Sequence, residues 1–265
     1  IKSVKKLLNT EKILLTQSDI WSKYGANIET PENSSNQDQR IHVDYGNNYL
    51  THPISWDKPE SVAIIVYFDN FKDVKGTTAF VPNNDKTRDF YNYPLVNSPG
   101  LSGYPFINDK NNAEKYFLEN NLDIYNFRQK LYDNELYPNY ELGTVLFYRH
   151  DLWHRGTPVK DGQVRRVLNL GFKKIDCYWI NNWNPGFSKK LAWHGDFEKF
   201  IAKIDVEQRT CLGFPHPKSK YWNKNTIAYL KARYEKYGMD IKPYLKFKDK
   251  EILNNHLINN LLSNL

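Results

Sequence analysis

Residues 61–71 read Ser-Val-Ala-Ile-Ile-Val-Tyr-Phe-Asp-Asn-Phe, a β-branched apolar run bounded by polar residues. A run this short predicts a buried strand, and it falls far below the roughly 18 apolar residues of a membrane-crossing helix. Three more segments have the same texture: 76–85, ended by Pro82, then 143–154 and 164–174. Helices do not alternate one for one with these runs, so an antiparallel sandwich or barrel is expected rather than a doubly wound parallel sheet. Residues 83–140, rich in Asn, Tyr, Pro and Gly, read as a long insertion that is helical in part over 111–132. The apolar spacing of residues 2–16 predicts a helix, and 26–40 a loop. From about residue 187 the texture turns helical, most clearly over 223–238, which opens on a polar cap and closes at Gly238. The tail steps through Leu253, Leu257, Leu261 and Leu265, a stripe expected to pack on the domain, with a partner helix as the alternative. The expected architecture is a single domain over 1–265, mainly β with flanking helices (α+β). Its β core spans about 41–174 and its helical C-terminal part about 187–265.

Charge and cysteine content narrow the function classes. The net charge of +7 comes from 37 basic and 30 acidic residues with no block of like charge, so a solvated basic face is expected and nucleic acid is not the expected partner. The bias mildly favours an anionic small-molecule substrate. The two cysteines, Cys177 and Cys211, have no metal-binding spacing, which predicts a reduced, cytoplasmic setting. Neither a signal peptide nor a membrane span is visible in the sequence. The chain opens on Ile1 rather than Met, so residues upstream of it are expected.

The chemistry centres on Arg40-Ile-His-Val-Asp44. Residues two apart on an extended strand point to one face, roughly 6–7 Å apart, so His42 and Asp44 can reach one ion between them. An imidazole and a carboxylate suit a divalent metal. A second histidine would complete the two-histidine, one-carboxylate face of non-haem Fe(II) oxygenases, with positions left open. His-x-Asp alone is common by chance, and the rest of the argument comes from residues 143–173. There a strand runs up to His154, a turn follows, and a returning strand carries Arg165 eleven residues later. An arginine beside the metal face can grip a carboxylate bidentately, and the two-electron donor 2-oxoglutarate has a distal carboxylate that needs such a grip. Strand alternation separates Arg165, Val167 and Asn169 from Arg166, Leu168 and Leu170. Arg165 is the choice and Arg166 the alternate.

The segments 42–44, 65–82, 152–172 and 213–244 together resemble the phytanoyl-CoA dioxygenase family of Fe(II)/2-oxoglutarate oxygenases, over roughly residues 40–244. The resemblance implies a double-stranded β-helix (jelly-roll, cupin-like) core and a hydroxylase that consumes O2 and releases succinate and CO2. It further implies His42, Asp44 and His154 as iron ligands and Arg165 as the 2-oxoglutarate anchor. The chain departs from the family's pattern in three places. Only 41 residues precede His42. Gly156 stands where a small hydroxyl residue is usual, which makes Thr157 the candidate for that hydrogen bond to the cosubstrate. Residues 82–85 read Pro-Asn-Asn-Asp in place of Pro-Gly-Ser-His. The 45–58 loop, with Tyr45, Tyr49 and Trp56, and the insertion are expected to form a substrate lid.

Rival readings use the same residues. His150-Asp-Leu-Trp-His154 superficially matches the H-E-x-x-H of zinc hydrolases, but that motif needs a helix and a glutamate. His52, His194, His216 and His256 lack partners at ligand spacing. Gly171 and Phe172 occupy the region where nucleic-acid demethylases of the class carry a second arginine. The presence of Asp44 favours hydroxylation over halogenation. A jelly-roll binding module that has lost catalysis is the remaining alternative, and the complete ligand set argues against it.

Overall fold

The computed structural model describes residues 1–28, 38–44, 58–91, 106, 108–177 and 196–245. Helix α1 covers Lys2–Leu8 and stops at Asn9, whose left-handed conformation (φ 48°, ψ 52°) turns its N–H back onto the carbonyls of Lys5 and Lys6. The helix expected over 2–16 therefore ends early, and its last four residues belong to a strand: β1 runs Ile13–Tyr24. Its local apolar spacing suited a helix, but its backbone pairs along its length with a strand some 150 residues away, from Ile13↔Lys174 to Tyr24↔Val164. Long-range pairing of this kind overrides weak local propensity.

Strand β2 spans Ser61–Tyr67, followed by the short helix α2 (Phe71–Val74) and β3 (Thr78–Phe80). Helices α3 (Lys110–Asn120) and α4 (Leu122–Asp133) follow, each opened by a side chain that accepts a backbone N–H: Asp109 for Asn112 and Asn121 for Ile124. Strands β4 (Val145–Tyr148), β5 (His154–Gly156) and β6 (Val164–Lys174) complete the β part. The C-terminal helices are α5 (Asp196–Lys203), α6 (Val206–Cys211) and α7 (Lys224–Tyr234). Reciprocal capping boxes start α6 (Asp205 with Gln208) and α7 (Asn223 with Thr226), and Gly238 ends the last helical stretch at φ +83°.

Two antiparallel sheets result. The larger has the order β1-β6-β2-β4. The smaller pairs β3 with β5, and single bridges widen it on both sides, His42 to His154 and Phe80 to Leu136. β2 is buried on both faces, which explains its unbroken apolar run. Val62 and Ile64 pack on Val4 and Leu8 of α1, while Ile65 and Tyr67 pack with Val74, Tyr140 and Val167. The largest core cluster lies behind the smaller sheet, where Ile41, Val43, Val81 and Trp153 meet Phe214, Tyr221, Trp222, Ile227 and Tyr244 of the C-terminal part. Helices thus cover the outer faces, and the inner faces meet in polar contacts such as the Tyr67 hydroxyl donating to Thr78 Oγ1 at 2.9 Å. No disulfide joins Cys177, which is buried, to Cys211, which is exposed. No helix among the described residues is long and apolar enough to cross a membrane. The 45–58 loop up to residue 57, His52, His194, His256 and the leucine-striped tail lie outside the described residues.

Candidate metal centre and anion pocket

The alternation of the strand around residue 42 decides which side chains meet. Ile41 and Val43 enter the aromatic core, so His42 and Asp44 point the other way, towards the larger sheet. Trp153 is buried in the same core, so His154 faces inward beside His42. The two histidines are direct partners: His42 N–H donates to the His154 carbonyl at 2.9 Å, and His154 N–H to the His42 carbonyl at 2.8 Å. Their ring centroids lie 4.6 Å apart. Asp44 presents Oδ1 at 3.8 Å from His42 Nε2 and Oδ2 at 3.5 Å from His154 Nε2.

Both rings are held the same way. His42 Nδ1 lies 2.9 Å from the Arg40 carbonyl and His154 Nδ1 lies 2.9 Å from the Leu152 carbonyl. A carbonyl can only accept, so each Nδ1 carries the proton and each Nε2 lone pair faces the carboxylate. Two imidazole lone pairs and a carboxylate, with one atom from each within 4.8 Å of the others, form a donor set that fits a borderline divalent cation. Burial, with His154 alongside, lowers the His42 pKa to about 3, so the ring is neutral and ligand-competent at neutral pH. Burial alone would raise the Asp44 carboxyl, but the neighbouring His154 and His42 rings outweigh it and hold the group below its ordinary value. Tyr148 donates its hydroxyl to Asp44 Oδ2 at 3.3 Å, and burial next to that carboxylate keeps the phenol protonated.

Residues 150–154 are not helical. They form a turn that leads into β5, and His150 Nδ1 is directed to Ser61 Oγ at 2.9 Å. The i, i+4 geometry that a zinc hydrolase would need is absent from this segment.

On β6, Arg165 is buried and Arg166 is exposed. Arg166 pairs with Asp69 at 3.5 Å on the surface. Arg165 donates Nη1 to the Gly76 carbonyl and sits 5.9 Å from the Tyr67 ring centroid. Its Nε is buried without a partner, and among the described residues no carboxylate lies within ion-pair distance of it. Directly opposite Arg165 on β1 is Lys23, also buried, whose Nζ donates to the Thr157 carbonyl at 2.8 Å. Burial first, and then Arg165, lowers the Lys23 pKa well below its ordinary value; Asp38 acts against this and Arg155 adds to it. Sequence reasoning missed Lys23 because it assigned no element to residues 17–25, where β1 has its distant partner β6.

Gly156 makes room for this arrangement. A Cβ there would lie 2.8 Å from Lys23 Nζ and 2.8 Å from Gln39 Oε1. The hydroxyl expected of Thr157 is turned away, donating to the Thr77 carbonyl at 2.9 Å. The space beside Gly156 is filled by the Lys23 ammonium and the Gln39 amide.

No protein-family model matches this chain, and no curated protein sequence matches it. Solved structures do. The non-heme alpha-ketoglutarate-dependent carbocyclase SnoK from nogalamycin biosynthesis matches with a TM-score of 0.40 and 12% identity, over 63% of this chain and 52% of that one. EvdO2 from Micromonospora carbonacea var. aurantiaca complexed with 2-oxoglutarate matches with a TM-score of 0.38 and 14% identity, over 69% and 64%. HygX from Streptomyces hygroscopicus with iron bound matches with a TM-score of 0.35 and 13% identity, over 65% and 62%. The chain spans less than two thirds of the length of each.

Proposed function

We propose that this protein is an Fe(II)- and 2-oxoglutarate-dependent oxygenase of the phytanoyl-CoA dioxygenase kind, built on a double-stranded β-helix, which hydroxylates a C–H bond of a small molecule. The observation that carries the reading is the facing Nε2 lone pairs of His42 and His154 with Asp44 between them. His42, Asp44 and His154 would hold the iron; the bridge between the two histidine backbones and the Tyr148 hydroxyl on Asp44 hold the donors together before it arrives. When bound, iron would supply the redox chemistry by which the C–H substrate, 2-oxoglutarate and O2 give the hydroxylated product, succinate and CO2.

The anion pocket supports the same reading. Like charges directly opposite on neighbouring strands, both buried, destabilise a sheet unless something negative sits between them. Arg165, with an unpartnered Nε, and Lys23 would take the distal carboxylate of the cosubstrate. Tyr148 would hold Asp44 in orientation through its hydroxyl. The aromatic wall behind Trp153 and Val43 keeps water from the rear of the site.

An anaerobic titration with Fe(II) and 2-oxoglutarate tests the assignment. A visible metal-to-ligand charge-transfer band is expected from the wild-type chain and not from His154→Ala. A wild type with no band, or an undiminished band in His154→Ala, overturns it.

A further inference from the structure

In an antiparallel strand the N–H and C=O of one residue point to the same side, and those of the next residue to the other. His42 spends both on His154, so the backbone groups of Ile41 face away from the sheet, where no further strand among the described residues pairs with them. Two side chains from α4 take the place of that strand. Ile41 N–H donates to the Tyr132 hydroxyl at 3.0 Å, and Arg128 Nη1 donates to the Ile41 carbonyl at 3.0 Å. Glu114 of α3 ties the two together. It receives Arg128 Nε at 2.9 Å, Arg128 Nη2 at 2.5 Å and the Tyr132 hydroxyl at 2.7 Å. Arg128 Nη2 also donates to the Tyr132 oxygen at 3.0 Å, and the guanidinium lies 4.6 Å from the Phe117 ring centroid. Arg128 is fully buried, and the phenol oxygen has both its acceptor sites and its proton in use.

We infer that Arg128, Tyr132 and Glu114 are positioning residues for the metal centre: they clamp the backbone one residue before His42 and so set where its Nε2 stands relative to Asp44 and His154. The inference rests on the metal reading above and goes beyond it. It gives α3 and α4, in the segment expected to act as a lid, the role of a brace at the edge of the ligand-bearing sheet. A buried network with every member satisfied is rigid, and rigidity here is transmitted through one peptide unit to a ligand.

Co(II) serves as the probe, with its ligand-field spectrum and its affinity read on the whole chain without cosubstrate. Tyr132→Phe removes one oxygen and unpairs Ile41 N–H. Glu114→Gln weakens the network without touching the His42 strand. Arg233→Lys, which disturbs the buried Arg233–Glu198 pair (3.1 Å) of the C-terminal helices, is the control for lost stability alone. The expected result is Co(II) affinity weaker by about 10-fold in Tyr132→Phe, with a shifted spectrum, and a smaller change of the same kind in Glu114→Gln. Arg233→Lys is expected to lower the melting temperature with affinity and spectrum unchanged. Should Tyr132→Phe not fold, Glu114→Gln decides. Wild-type binding with unchanged affinity and spectrum in both brace variants overturns the inference alone. Absence of Co(II) binding by the wild type overturns the metal reading and the inference with it.

Discussion

His42 and His154, 112 positions apart in the chain, are direct partners across one antiparallel bridge, each donating its backbone N–H to the other's carbonyl at 2.9 and 2.8 Å. This relationship makes the pair a site, since hydrogen-bonded partners on one face have Cα atoms about 5.5 Å apart and their rings cannot avoid each other. Replacing either histidine by alanine, or Asp44 by alanine, is expected to weaken divalent-metal binding by more than about 100-fold, beyond the usual cost of losing an outer partner. Calorimetric titration with Co(II) checks this. Tyr148→Phe, which loses only the 3.3 Å contact to Asp44, is expected to cost roughly 10-fold.

The two arginines of β6 should separate cleanly. Arg165→Ala is expected to weaken 2-oxoglutarate binding by roughly 30-fold or more, the equivalent of about 2 kcal/mol for removing one partner of a buried charged contact. Arg166→Ala, at an exposed position paired only with Asp69, is expected to change it less than about twofold. Binding curves followed through the charge-transfer band distinguish the two, and equal losses would remove Arg165 from the pocket.

Lys23 predicts opposite signs for stability and binding. Lys23→Met removes a buried cation placed opposite Arg165, so the empty protein is expected to be more stable to urea while 2-oxoglutarate binding weakens about 10-fold or more. Gly156→Ser is expected to weaken the same binding, because its Cβ would meet Lys23 Nζ and Gln39 Oε1 at 2.8 Å. A Lys23→Met variant that is both less stable and unchanged in binding would assign Lys23 to packing alone.

Buried histidines make the stability of the metal-free protein depend on pH. Burial lowers His42 to about 3 and His150 to about 4, against 6.5 for the unfolded group. Between about pH 4 and 6.5 the unfolded chain therefore binds protons that the folded chain refuses, and stability falls as pH falls through that window. Above it these groups contribute no slope. Each unit of depression is worth about 1.4 kcal/mol, so urea midpoints should drop clearly between pH 6.5 and 5. His150→Gln is expected to flatten part of that slope.

How much was legible in the sequence differs by element. Residues 61–71 and 164–174 could be read as strands because their burial is dense enough to show in composition; the first stops four residues early, at Ser61–Tyr67, and the second is Val164–Lys174. The cap at Asn223 and the stop at Gly238 are local chemistry, and they sit at the ends of the C-terminal helix and its final turn. Strand β1 was not legible, because its pairing partner is distant and its side chains, apart from Lys23, are exposed or only partly buried, leaving no clean alternation to read.

At the site the same division holds. The sequence by itself determined the residue types and their spacing: a histidine and an aspartate two apart, which a strand must place on one face, and a later histidine with an arginine eleven beyond it. It also determined that two arginines in succession on a strand point to opposite sides. Tertiary structure alone decided which arginine turns inward, that a lysine from β1 stands against it, and that Arg128 and Tyr132 hold the peptide before His42. Spacing along the chain sets which face a side chain takes. Only the pairing of strands and the packing of helices, over separations of up to about 160 residues, set what that face meets.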